Sequence, residues 1–240
     1  MNNTSSAAYY ERIWKTARSD MKKYGPFSRH YRRIISELVR PLEFSSVLDI
    51  GCGEGSLLLD LSLLYPGIAL SGIDISDSAL QLARQKLPGG QFWNLDITAC
   101  HLEQRFDLVL CSEVLEHIDD DVSALENIAR MTAGHVILSS VQGRMRNFEK
   151  KVGHIRNYQR GELVRKVEQA GFETVQTVEW GFPFYSPLYR NFLDLVGGKG
   201  TTGEFGPTRR AISAVLFALF SLNSHRRGDE VFVVAKPRRL

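Results

Sequence analysis

Three cysteines in 240 residues, Cys52, Cys100 and Cys111, are an odd number with no Cys-x-x-Cys pair, which leaves no disulfide framework and no cysteine zinc site to build on. A reducing cytoplasm is the expected home. No apolar run approaches the roughly 20 residues a membrane span needs, and the opening MNNTSSAAYYERIWK lacks the basic-then-apolar order of a secretory signal. A soluble chain is expected. An excess of charge of one sign is missing too: 30 Lys and Arg stand against 27 Asp and Glu, a net charge of +3, too weak and too dispersed to argue for a nucleic-acid partner. There are no solenoid-period repeats, and GGKGTTGEFG (197–206) is the one low-complexity stretch.

What is present is enough apolar sequence, 43% of the chain, to bury one sizeable core. Short apolar runs alternate with amphipathic stretches, the mark of an α/β architecture. Strands are expected at 45–50, 68–73, 91–94, 106–111, 135–141, 173–180 and 231–235. Helices are expected at 56–64, 76–87, 119–131 and 160–170, the third opening on three aspartates that suit the positive end of a helix dipole. The division expected is a helical N-terminal cover (1–44), a ligand-binding core (45–183), an insertion acting as a lid (184–228) and a final core strand (229–240). Within the insertion, Ala211 to Leu222 is apolar except for Ser213 and Ser221, and is read either as a buried lid or dimer helix or as an interfacial helix serving a lipid-like substrate.

The stretch VLDIGCGEG (47–55) follows the first strand and precedes a helix. Glycines there allow a tight turn and a close approach to a ligand at the carboxyl end of the strand. A dinucleotide prefers Gly-x-Gly-x-x-Gly, whereas Ser56 stands where the third glycine would fall, and Asp49 and Glu54 would repel a diphosphate. A P-loop is ruled out because no Gly-Lys-Ser or Gly-Lys-Thr follows. S-adenosylmethionine carries an ammonium and a sulfonium, for which both acids are favourable partners.

These residues resemble the first motif of class I S-adenosylmethionine-dependent methyltransferases. GIDIS, with Asp74, NLDI, with Asp96, and FDLVLCSEVLEHI agree with the family in order and spacing; the last is similar to the fourth-strand motif of small-molecule members, including ubiquinone-pathway O-methyltransferases. The resemblance implies a doubly wound, mostly parallel seven-stranded Rossmann-like sheet. It also implies a cofactor site formed by Asp49, Gly51, Gly53, Gly55, Asp74, Ile75, Asp96, Ile97, Ser112 and Glu113, with Asp74 on the ribose, Asp96 near the adenine amino group and apolar side chains such as Ile97 sandwiching the ring.

Methyl transfer needs alignment, exclusion of water and, for a hydroxyl nucleophile, a base. His117 and His154 are the candidate catalytic residues; the alternative for His117 is a capping or packing role, and for His154, with Arg156 and Tyr158, a loop anchor. Cys111 lacks the preceding proline of cytosine methyltransferases, and the Asn-Pro-Pro-Tyr motif of nucleic-acid amino methyltransferases is absent. No metal is expected. The favoured reading is O-methylation of a small molecule, aromatic or lipid-like, with Trp180, Phe182, Phe184, Tyr185 and Tyr189 available to line its pocket. The rivals are N- or C-methylation on the same fold, cofactor binding without turnover and, third, a nicotinamide dehydrogenase.

Overall fold

The computed structural model describes residues 23–198 and 205–238. Strands β1 (Ser46–Ile50), β2 (Ala69–Asp74), β3 (Gln91–Asn94), β4 (Phe106–Ser112), β5 (Thr132–Val141), β6 (Phe172–Trp180) and β7 (Glu230–Pro237) form one sheet in the order β3-β2-β1-β4-β5-β7-β6. Only β7 runs against its neighbours: Val141 at the end of β5 pairs with Glu230 at the start of β7. Each of the seven strands lies where the alternation placed it. The largest boundary difference is at β5, which begins three residues early because helix α4 (Asp121–Met131) runs straight into it through Thr132.

The helices follow local signals. Ser76 caps α3 (Asp77–Lys86) by accepting from the amide of Ala79 at 3.3 Å, and Asp120 caps α4 by accepting from that of Ser123 at 3.0 Å. Asp121, in the first turn of α4, turns inward instead. Helix α2 (Ser56–Leu64) lays Leu57, Leu58 and Leu61 on one face of the sheet, while α4 and α6 (Glu162–Gln169) cover the other with Leu125, Ile128, Leu163 and Val167. Both faces of the central strands are buried, so β4 reads as a nearly continuous apolar run.

Helix α1 (Pro26–Val39) buries Ile34, Ile35, Leu38 and Val39 against the α2 face. A short helix, α5 (Asn147–Lys151), follows β5, and between β6 and β7 lie a kinked helical turn (Phe184–Tyr189), the short helix α7 (Arg190–Leu195) and α8 (Pro207–Phe220). Gly197 and Gly198, both at positive φ, close α7, the Gly198 amide donating to the Leu193 carbonyl at 2.8 Å. Gly200, Thr201 and Thr202, in the rest of the glycine-rich stretch, lie outside the described residues, as does the part of the expected N-terminal cover before Lys23. Helix α8 is buried on one side only: Ser213 and Phe220 are buried, whereas Ile212 and Val215, and Leu222 just after the helix, face outward. Among the described residues no helix is long and apolar enough to cross a membrane.

His30 joins α1 to α8. Its Nε2–H donates to the Phe217 carbonyl at 2.7 Å, and its ring stacks on Phe217 at 4.2 Å and Trp180 at 5.3 Å. Burial pushes its pKa down to about 4 from 6.5. Between those values the unfolded chain binds the proton and the folded one resists it, so this contribution is whole above pH 6.5 and is lost as pH falls toward 4. Replacing His30 with Gln should flatten the dependence of the urea midpoint on pH across that window; an unchanged slope would show that His30 plays no part in it.

Candidate active site

The strand order reverses between β1 and β4, the point at which an open α/β sheet offers a crevice at its carboxyl edge. A cavity of about 430 Å³ lies there. The glycine turn forms its floor: Gly51, Gly53 and Gly55 all hold positive φ (69°, 54° and 75°), a region open to glycine at little cost. A Cβ on Gly51 would stand 2.4 Å from Val114 Cγ2. Gly51 lines the cavity, Gly53 donates its amide to Asp74 Oδ2 at 2.8 Å, and Gly55 packs against Ala83 and Leu87 of the α3 region. The turn is therefore held by the acid it was expected to work beside.

Asp49, Asp74 and Asp96 line one end, at or just past the ends of β1, β2 and β3, together with Ile75 and Ile97. Asp74 also accepts from the Ser76 amide at 2.9 Å, and Asp96 from the Thr98 amide at 2.9 Å, which fixes both carboxylates. Ser112 and Glu113 border the same space from the end of β4, where Glu113 takes the strained φ of 57°. Eight of the ten expected cofactor positions line this cavity; Gly53 and Gly55 do not, the first holding Asp74 and the second packing on α3. Glu54, expected to face the ligand, instead pairs with Lys86 at 3.1 Å and accepts from Ser56 Oγ at 2.7 Å. Carboxylates fixed around one end, with isoleucines among them, are the acceptor chemistry that a cationic, ring-bearing cofactor requires.

His117 and His154 meet at the other end, ring centroids 4.7 Å apart and nearly perpendicular. Burial, and then the neighbouring His117, push the pKa of His154 down to about 3, so it is a neutral imidazole at physiological pH. Glu116 stands beside them, fully buried, accepting from Ser140 Oγ at 2.7 Å, with its pKa pushed up to about 8 by burial. The ligand atoms of Glu116, His117 and His154 all lie within 4.8 Å of one another, close enough to hold a metal ion. Arg156 and Tyr158 do not join His154 there. They bind Asp121 at 2.9 and 2.7 Å and fasten the loop to α4.

Sequence reasoning did not find Phe27 and Tyr31 of α1, Glu149 of α5, Arg190 of α7 or Glu230 of β7, all of which line the cavity. Glu230 left one usable trace, an acid directly before the apolar run VFVVA. Of the aromatics expected to line the pocket, Tyr185 and Tyr189 do so, while Trp180 is buried in the core and Phe182 stacks under Arg227 at 4.1 Å.

Comparison with known proteins agrees with this layout. A family model for a methyltransferase domain matches residues 48–134, from β1 into β5. The ubiquinone biosynthesis O-methyltransferase of Nitrosomonas europaea is 32% identical over 136 residues, 53% of this chain and 57% of that protein, so the chain spans little more than half of that relative's length. The protein of the same name from Aromatoleum aromaticum is 30% identical over 169 residues, 59% of this chain and 68% of that protein. Among solved structures, the N-methyltransferase NodS of Bradyrhizobium japonicum in complex with S-adenosyl-L-homocysteine aligns with a TM-score of 0.64 and 18% identity over 97% of this chain and 98% of that one, a likeness of fold. The acid-flanked glycine turn, the carboxylates that close around it and these relatives agree on one conclusion: the chain belongs to the class I S-adenosylmethionine-dependent methyltransferases.

Proposed function

We propose that this protein is a cytoplasmic O-methyltransferase that uses S-adenosylmethionine to methylate a small, aromatic or lipid-like acceptor, with the inserted region 184–228 covering the acceptor end. The observation that carries this reading is the pair of half-buried histidines that follow β4 and β5, in the same cavity that the three aspartates at the ends of β1, β2 and β3 line. Bound S-adenosylmethionine supplies an electrophilic methyl group on a sulfonium. Asp74 and Asp96 hold its ribose and adenine ends, Ile75 and Ile97 flank the ring, and Asp49 answers its positive charge. His117 takes the proton that the acceptor hydroxyl gives up, with the weakly basic His154 edge-on beside it. Phe27, Tyr31, Tyr185 and Tyr189 exclude water.

A second reading is favoured by the geometry around Glu116: a divalent cation on Glu116, His117 and His154 would acidify the acceptor hydroxyl. Turnover of phenols and catechols, followed as release of S-adenosylhomocysteine with and without a chelator, separates the two. In the first reading His117→Ala lowers kcat by roughly 10² to 10⁴ with S-adenosylhomocysteine affinity retained and no effect of chelation. Methylation of amine acceptors alone, or tight binding of the cofactor product with no turnover of any acceptor, would turn the assignment to N-methylation or to binding without catalysis.

A further inference from the structure

Three glutamates line the cavity with no cation of their own, and burial pushes the pKa of each up. Glu113, Glu116 and Glu230 all line it. The nearest cation, Arg190, is committed elsewhere: it donates through Nε to Glu149 Oε1 at 2.9 Å and through Nη1 to Asp229 Oδ2 at 2.6 Å, and Arg146 leans on the same two acids at 3.8 and 3.5 Å. Two arginines thus match two carboxylates. Among the described residues no salt bridge reaches Glu113, Glu116 or Glu230.

Glu116 belongs with the histidines, which leaves Glu113 and Glu230. Glu113, expected at the cofactor, accepts from Ser139 Oγ at 3.2 Å and has Glu116 and Glu230 as electrostatic neighbours, so its carboxyl group sits with theirs. Glu230 is 1% exposed; its Oε1 accepts from the Tyr185 hydroxyl at 3.2 Å, and its Oε2 is buried with no hydrogen-bond partner. Such an atom costs free energy unless a ligand satisfies it. A neutral hydroxyl would satisfy the lone pair but leave two carboxyl groups facing each other. A cation answers both demands, and the aromatic wall of Phe27, Tyr31, Tyr185 and Tyr189 suits the carbon groups around an organic nitrogen.

We propose that the acceptor carries an organic ammonium group, seated between Glu230 and Glu113 against this aromatic wall, while its methylated atom faces His117 and His154. Glu230 is then a specificity-determining residue. The inference rests on the reading of this end as the acceptor pocket.

Calorimetry on the protein saturated with S-adenosylhomocysteine tests it with two probes of one shape, phenethylamine, protonated at neutral pH, and 2-phenylethanol. The amine should bind at least about tenfold tighter, and Glu230→Gln should remove most of that preference, with its titration by S-adenosylhomocysteine reporting an intact fold. Equal affinities in the wild-type protein, binding of neither probe, or a preference that survives Glu230→Gln would overturn the proposal. If Glu230→Gln does not fold, Glu113→Gln takes its place: loss of the preference supports the proposal and its persistence overturns it. A protein that fails to bind S-adenosylhomocysteine at all would instead sink the functional reading, so the two failures are distinguishable.

Discussion

Arg190→Ala destabilises the protein by about 3 to 5 kcal/mol, the cost of stripping one partner from a buried ion pair. At roughly 2 to 4 °C per kcal/mol for a domain of this size, the thermal midpoint falls by about 6 to 20 °C. Arg190 is 1% exposed and its partner Glu149 is 2% exposed. Its guanidinium bonds Glu149 through Nε and Nη2 and Asp229 through Nη1. Removing it leaves a buried carboxylate whose Oε1 retains only Arg146, at 3.8 Å. The second oxygen keeps the Arg146 amide at 2.8 Å and Asn157 at 3.0 Å, which places the expected loss toward the lower half of the range. The same contacts tie α7 to α5 and to the residue before β7, so the start of the inserted region is clamped to the core at the cavity wall. Arg190→Met combined with Glu149→Met should recover most of the loss, because no buried charge then remains unpaired. A midpoint within about 2 °C of wild type for Arg190→Ala would mean that the pair contributes less than 1 kcal/mol.

Asp74→Ala weakens S-adenosylhomocysteine binding by roughly 10- to 150-fold, or about 1.5 to 3 kcal/mol, the worth of a hydrogen bond to a charged group. Two effects add. The carboxylate available to the ribose is lost, and so is the acceptor that holds the Gly53 amide and orders the glycine turn. Asp74→Asn separates them in part: the amide oxygen can still accept from Gly53, while the bond from the Ser76 amide and the charge are lost, and an intermediate affinity is expected. Calorimetry on folded variants decides. Unchanged affinity for Asp74→Ala would place the ribose elsewhere.

Much of this molecule was legible without coordinates, because the decisive signals are local. A strand covered on both faces needs a continuous apolar run, as in FDLVLC. A helix start needs a capping oxygen, as at Ser76 and Asp120. A chain leaving a strand at three positive φ angles needs three glycines. From these, the order of elements, the glycine turn and the acids at the ends of β1, β2 and β3 follow, since each depends on residues a few positions apart.

Where side chains point across the sheet was settled only by the fold. Glu54 and Asp74 both looked like ligand-facing acids, yet Lys86, 32 positions beyond Glu54, draws Glu54 away, while Asp74 lines the cavity and also holds Gly53. Asp121 looked like a third solvated aspartate and is a buried partner of Tyr158, Arg156 and Lys166. Glu230 reaches the cavity because β7 is inserted antiparallel between β5 and β6, which puts its first residue at the carboxyl edge of its neighbours. Glu149, Arg190 and Asp229 are separated by about 40 residues at each step and follow no periodicity. Hydrophobic pattern and turn chemistry determine which segments become strands and helices; the pairing of charges in a buried cleft depends on which segments pack together, and that arises only when the whole chain closes on its core.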